Sequence, residues 1–162
     1  MTRWLLEMQS PSEFKPSTDC PDSLEVHRVT APSTELNRVL HATVGKRWQW
    51  GGRHDWGQAE WGDYVHRDAL ETWIAYVEGK PAGYYEMEKQ EDGSVRIQCF
   101  GLLEAHIGKG FGGPFLSHAV ARCWERGATR VWLNTCSRDH PNAIHNYRAR
   151  GFSITSESVS SE

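Results

Sequence analysis

Residues 106–113 read His-Ile-Gly-Lys-Gly-Phe-Gly-Gly. Val95–Leu103, just before them, has the pattern of a strand, and Pro114–Arg126, just after, repeats apolar residues at helical spacing. Four glycines in eight residues, set between a strand and a helix, predict a main chain that must come close to something. The usual partner is a phosphate. Residues without side chains let successive N–H groups point at one anion, and a helix N-terminus adds the positive end of its dipole.

Working outward, the helix after the loop gathers Phe115, Leu116, Ala119, Val120, Cys123 and Trp124 on one face, and Gly127 stops it. Upstream, Glu71–Val77, Ala82–Lys89 and Val95–Leu103 read as three strands, separated by Glu-Gly-Lys-Pro and Glu-Asp-Gly-Ser turn signals. Leu24–Val29 reads as a strand, and Ser33 or Thr34 caps a helix running to about Val44. Residues 45–57, rich in Gly and Trp, form a shaped loop before a short helix at Gln58–Arg67. Downstream come a strand at Val131–Asn134, a helix at His140–Arg150 and a last strand at Phe152–Thr155. Trp4–Met8 is a short strand or an ordered tail. Residues 1–23 are expected to be an N-terminal extension and residues 156–162 a frayed tail. The order predicts one α/β domain: a mixed sheet made of an antiparallel meander followed by a βαβ unit, with helices on both faces. The strands flanking helix 114–126 should be parallel, with a right-handed crossover.

This order excludes two readings of the glycines. Gly108-x-Gly110-x-x-Gly113 has the letters of a dinucleotide fingerprint, but a meander precedes it and the stretch about 20 residues on, Trp132-Leu133-Asn134, holds no acid for a ribose. A nucleotide P-loop needs Lys-Ser/Thr after its last glycine, and Gly113 leads into Pro114.

Composition narrows the partners. The 162 residues suit one domain with a full core, and 18 Lys+Arg against 21 Asp+Glu argue against nucleic acid or an anionic membrane. Cys20, Cys99, Cys123 and Cys136 form no Cys-x-x-Cys pair and read as reduced thiols of a cytoplasmic protein. Cys99 or Cys136 could serve an acyl-cysteine route only beside a base; packing as small hydrophobes is the plainer reading. The histidines show no spacing with acids that suits a metal, so none is expected. A charge interrupts the N-terminal apolar residues before a signal peptide builds up, and no stretch reaches membrane-span length.

Two motifs together resemble a known family. Ile-Gly-Lys-Gly-Phe-Gly (107–112) is similar to the Arg/Gln-x-x-Gly-x-Gly/Ala loop of the GNAT N-acetyltransferase superfamily. His-Pro-Asn-Ala-Ile-His-Asn-Tyr-Arg-Ala-Arg-Gly-Phe (140–152) resembles its second signature, with Ala143, Tyr147, Gly151 and Phe152 at matching intervals. The element order agrees from about Leu24 to Phe152. Two positions depart from the pattern: Ile107 stands where the family has Arg or Gln, and His140 where it has Asn.

The resemblance implies acetyl-CoA as cosubstrate, with its pyrophosphate on main-chain N–H groups of Gly108, Lys109, Gly110, Phe111, Gly112 and Gly113, and Lys109 adding charge at the rim. Leu102 and Leu103 would offer main-chain bonds to the pantetheine, and a main-chain N–H near them would meet the thioester carbonyl. Asn142 substitutes for the missing Asn in holding that arm, or else His140 or Asp139 merely caps the helix. Tyr147 becomes the acid that protonates the departing thiolate; its alternative is packing with Ala143 and Ile144.

The acceptor must be neutral to attack. Glu86 lies mid-strand, where burial would raise its carboxyl toward neutrality and suit it as base or amine anchor; a solvated charged face, with deprotonation through water, is the other reading. Gln98 and Asn134 would orient water or substrate. The segment 47–56, with Trp48, Trp50, Arg53 and Trp56, precedes the meander where the family builds its acceptor pocket, and would suit a small amphipathic amine. Tryptophans clamping the loop onto the core are the alternative. The expected activity is direct N-acetylation of a small amine or amino-acid-like metabolite by a monomer or homodimer. A protein N-terminus or lysine as acceptor, or an acyl-CoA-binding module without turnover, remain alternatives.

Overall fold

The structure, a computed structural model, describes residues 1–161. Its strands are β1 (Thr2–Met8), β2 (Leu24–Arg28), β3 (Leu70–Val77), β4 (Lys80–Lys89), β5 (Val95–Leu102), β6 (Val131–Cys136) and β7 (Ser153–Val159). Its α-helices are α1 (Thr34–Gly45), α2 (Gln58–Val65), α3 (Gly112–Glu125) and α4 (Ala143–Ala149). The strands form one seven-stranded mixed sheet in the order β2-β3-β4-β5-β6-β1-β7.

Strand alternation divides the core between the two faces. Neighbouring side chains on β4 point opposite ways. Tyr84 joins Leu40, Val44 and Ile74 beneath α1, while Tyr85 joins Phe115, Leu116 and Ala119 of α3. Trp61, Val65 and Leu70 extend the α1–α2 side. The Ser33 side chain caps α1 by accepting from Leu36 N–H.

The β5–β6 junction positions the site. β5 follows β4 antiparallel, but the register shifts between Glu86 and Met87: Glu86 faces Cys99 and Met87 faces Ile97, so Gln98 is an extra residue. Such a bulge bends its strand and increases twist. β5 and β6 run parallel, as the crossover requires, and pair only at Val95–Val131 and Arg96–Trp132. Beyond Arg96 the two strands part and leave a cleft.

Several boundaries differ from expectation. Residues 2–8 are no appendage: β1 is an interior strand between β6 and β7, antiparallel to both. The expected tail from Ser156 lies largely in β7, which pairs with β1 from Ser153 to Val159; Glu162 lies outside the described residues. α3 begins two residues early, so Gly112 and Gly113 form its first turn. α4 is shorter than expected because residues 137–142 turn before it, with Ala143 N–H bonded to His140 O. No helix is long and apolar enough to cross a membrane among the described residues.

Candidate active site

The cleft between β5 and β6 holds two cavities. One, of about 260 Å³, is walled by the glycine loop, the end of β5 and the start of α4. The other, of about 540 Å³, lies toward β6 and β1. Trp50, Phe100, Asp139 and Tyr147 line both, so the cavities meet at these four residues.

One wall of the smaller cavity, otherwise largely apolar, is made of bare main chain. Gly108 and Gly110 line it at φ +77° and +86°, left-handed conformations that L side chains rarely adopt. A Cβ at either would meet no atom within 4 Å, so that space is free. The first turn of α3 carries no side-chain cap, leaving helix N–H groups without an intrahelical partner. These residues fit a pyrophosphate. Asn146 Nδ2 donates to Gly112 O at 3.0 Å and ties α4 to the loop.

The expected cofactor residues divide. Leu102, Gly108, Gly110, Gly112 and Asn142 line this cavity. Leu103 N–H donates to Ala82 O at 2.7 Å, so that donor is committed to β4; alternation then turns the Leu102 main chain toward the cleft. Phe111 is a core residue, buried beneath the loop with Phe115. Gly113 is small for a different reason: a Cβ there would lie 2.6 Å from Arg150 Nη1 and 3.2 Å from Ser17 Oγ. Lys109 is exposed and lines neither cavity. Asn142 sits at the N-cap position of α4 without capping it, and its N–H donates to His140 Nδ1 at 3.0 Å.

Tyr147 is buried, with its ring edge-on to Phe100 and Phe152. Burial, then the nearby Asp139 charge, pushes the phenol well above its ordinary pKa and keeps it neutral. Asp139 faces both cavities. Its Oδ2 accepts from the Thr135 hydroxyl and, at 3.2 Å, from Cys136 N–H. Cys99 lines the larger cavity, but burial and the Glu86 charge push its thiol up, so it is no ready nucleophile.

Glu86 departs from expectation. It is fully buried, as mid-strand placement suggested, yet its pKa moves the other way. Burial would raise it; Arg53, Tyr64 and Asn37 outweigh burial and hold it below the ordinary carboxylate range. Arg53 Nη2 and Nη1 donate to its two oxygens at 2.8 and 3.2 Å, Tyr64 hydroxyl donates at 2.6 Å, and Asn37 Nδ2 at 3.0 Å. An anion so held is no base poised near neutrality. Arg53 is correspondingly no free substrate anchor: its guanidinium is sandwiched at 4.5–5.1 Å from the Trp56, Trp61 and Tyr64 rings. Trp56 packs on Trp61 at 4.9 Å. Beside them, burial and then Arg53 push His41 down to about 4.

The tryptophan loop is clamped onto the core at one end and walls the cavities at the other. Arg53 and Trp56 clamp it to the α2 side. Trp50 walls the cavities, its indole seated where a Cβ on Gly45 would lie 2.6 Å away. Trp48 lines the smaller cavity, not the larger, and meets His140 edge-on at 5.3 Å. Gln98 and Asn134 line the larger. Asp139 and Asn146 were not singled out as site residues; their signal was adjacency, one just before the second motif and one beside Tyr147. Among the described residues no group of three or more His, Cys, Asp or Glu could hold a metal ion.

Comparison with known proteins gives a consistent answer. The Acetyltransferase (GNAT) family model matches residues 35–152. A mycothiol acetyltransferase from Corynebacterium aurimucosum is 30% identical over 117 residues, which is 68% of this chain but 38% of that protein. A streptothricin acetyltransferase from Streptomyces lavendulae is 37% identical over 60 residues, 37% of this chain and 31% of that protein. The chain thus spans well under half the length of these relatives. Among solved structures, a GCN5-related N-acetyltransferase from Kribbella flavida superposes with a TM-score of 0.70 at 19% identity, covering 97% of this chain and 56% of that one.

Proposed function

The chain belongs to the GNAT acetyltransferase family, and from that premise we propose that it transfers an acetyl group from acetyl-CoA to the amine of a small acceptor by direct attack in a ternary complex. One observation carries this reading: two cavities, one bounded by an uncapped helix start and a glycine loop, meet at a buried, neutral tyrosine.

Acetyl-CoA supplies the activated acyl group. Main-chain N–H groups at the start of α3 hold its pyrophosphate, with no side-chain cation required, which suits Ile107. The Leu102 main chain, on the cleft side of β5, takes the pantetheine as a neighbouring strand would. The acceptor occupies the larger cavity. Asp139 draws its ammonium in, and the proton leaves to water, since Glu86 is already a paired anion. The acceptor nitrogen then gives its lone pair to the acetyl carbon, the carbon–sulfur bond breaks as Tyr147 hydroxyl delivers a proton to sulfur, and the proton the nitrogen sheds on becoming an amide returns to the Tyr147 oxygen.

Thiol release from acetyl-CoA, followed across an amine panel with the acetylated product identified by mass, tests the reading. Amine-dependent release with stoichiometric N-acetyl product is expected. Tight coenzyme A binding without release from any amine, peptide N-termini and lysines included, would favour a binding module instead.

A further inference from the structure

The larger cavity carries a charge imbalance that acetyl transfer alone does not need. Arg3, Arg96 and Arg138 line it against one carboxylate, Asp139, already engaged by Thr135 and Cys136. The chain as a whole has more acids than bases. Many of its other arginines are matched, Arg53 with Glu86, Arg67 with Glu88, Arg122 and Arg126 with Glu71, Arg130 with Glu7, while Arg148 and Arg150, which line no part of this cavity, make no ion pair among the described residues. None of the three cavity arginines is in an ion pair among the described residues.

Arg96 is also held in place. Its Nη2 donates to Asn134 Oδ1 at 3.1 Å, and its guanidinium lies 4.8 Å from the Trp132 ring centroid. Its Nε is buried with no hydrogen-bond partner. A buried donor left unbonded is costly, and a small turn of the guanidinium that lets a ligand oxygen bond it would recover that cost. A fixed, planar guanidinium matches the two oxygens of a carboxylate or phosphate better than a flexible ammonium does.

We propose that the acceptor is an amino acid in the broad sense: an amine carrying a carboxylate or phosphate, its nitrogen toward Asp139 and its acid toward Arg96, with Arg3 and Arg138 adding positive field. The proposal rests on the acetyl-transfer reading and specifies its substrate class.

Matched pairs test it. Turnover of α-amino acids is compared with that of their carboxamides, and turnover of O-phosphoethanolamine with that of ethanolamine. The acid member of at least one pair should have a kcat/KM at least about tenfold higher, the scale of one charge-assisted hydrogen bond. The two pair types separate carboxylate from phosphate. Arg96→Gln should collapse that ratio to within about threefold while KM for acetyl-CoA stays in place; Arg138→Gln, on an exposed residue, is a second variant should the first fold poorly. Carboxamides or ethanolamine turned over as well as the acids would overturn the inference and leave acetyl transfer standing. If no amine is turned over, calorimetry of the same pairs on the coenzyme A complex decides: acid-selective binding lost in Arg96→Gln supports an acid-binding cavity, and equal or no binding overturns it. Loss of coenzyme A binding itself would instead count against the acetyl-CoA reading.

Discussion

Tyr147 shows what one buried residue contributes. Burial keeps its hydroxyl protonated where the two cavities meet, which under the proposed acetyl transfer is where a leaving sulfur would need a proton. Tyr147→Phe should therefore lower kcat by roughly 10²-fold, the usual scale for losing a general acid, while calorimetry shows coenzyme A affinity within about twofold of the parent. Unchanged turnover would remove Tyr147 from the chemistry. Gly110 makes the complementary case. At φ +86° with open space beside it, Gly110→Asp should cost the fold only about 1–2 kcal/mol yet weaken coenzyme A binding by about 100-fold or more, since the new carboxylate would face a pyrophosphate. Normal affinity would displace the pyrophosphate from this loop. The sequence displayed the glycines and the tyrosine, and left Glu86 open between a buried strand centre and a solvated face. It could not show the sign of the Glu86 shift, because the deciding partner, Arg53, lies 33 residues away and on a loop.

At the scale of elements, the helices and meander were legible because their hydrophobic periods are clean. The misread pieces have specific causes. β7 reads Ser-Ile-Thr-Ser-Glu-Ser-Val with every residue exposed, so it offers no alternation to detect. β1 alternates weakly and looks like a tail until β6 and β7 flank it. Loop 45–57 was recognisably shaped, but why it needs glycine is a three-dimensional fact: the last residue of α1 seats the Trp50 indole. Gly45→Ala tests this. Helix propensity alone favours Ala by about 1 kcal/mol. A Cβ 2.6 Å from the indole forces a shift, and overpacking costs typically about 1–3 kcal/mol. The variant should therefore be less stable in urea unfolding and should bind coenzyme A more weakly, because Trp50 walls that cavity. A more stable variant would show that the indole moves freely.

Across the whole molecule, Glu71 joins parts distant in sequence. It is buried in β3 and accepts from Arg122 Nε and Nη2 at 2.8 and 2.9 Å, from Trp73 Nε1 at 2.9 Å and from Arg126. Burial would raise its carboxyl; the Arg122, Trp73 and Arg126 bonds bring it down to about 2. A carboxylate with a lowered folded-state pKa adds stability that is complete above its unfolded value near 4.5 and lost as pH falls toward 2. That contribution is about 3 kcal/mol. Glu71→Gln should lose at least that much at pH 7 and show a flatter stability profile between pH 5 and 2; an equally steep profile would place the acid sensitivity elsewhere. The family match begins at residue 35 and ends at 152, so β1, β2 and β7 lie outside the matched residues although they belong to the same sheet. That sheet is two panels, β2–β5 and β6–β1–β7, fastened to each other by two residue pairs at one end of a seam. A ligand bonded to both lips of the seam is then a rivet as well as a reagent. At a hundred times its dissociation constant it would add about 2.7 kcal/mol to the stability of the whole, and its departure would leave the panels joined by those two pairs and by the core they share beneath α3.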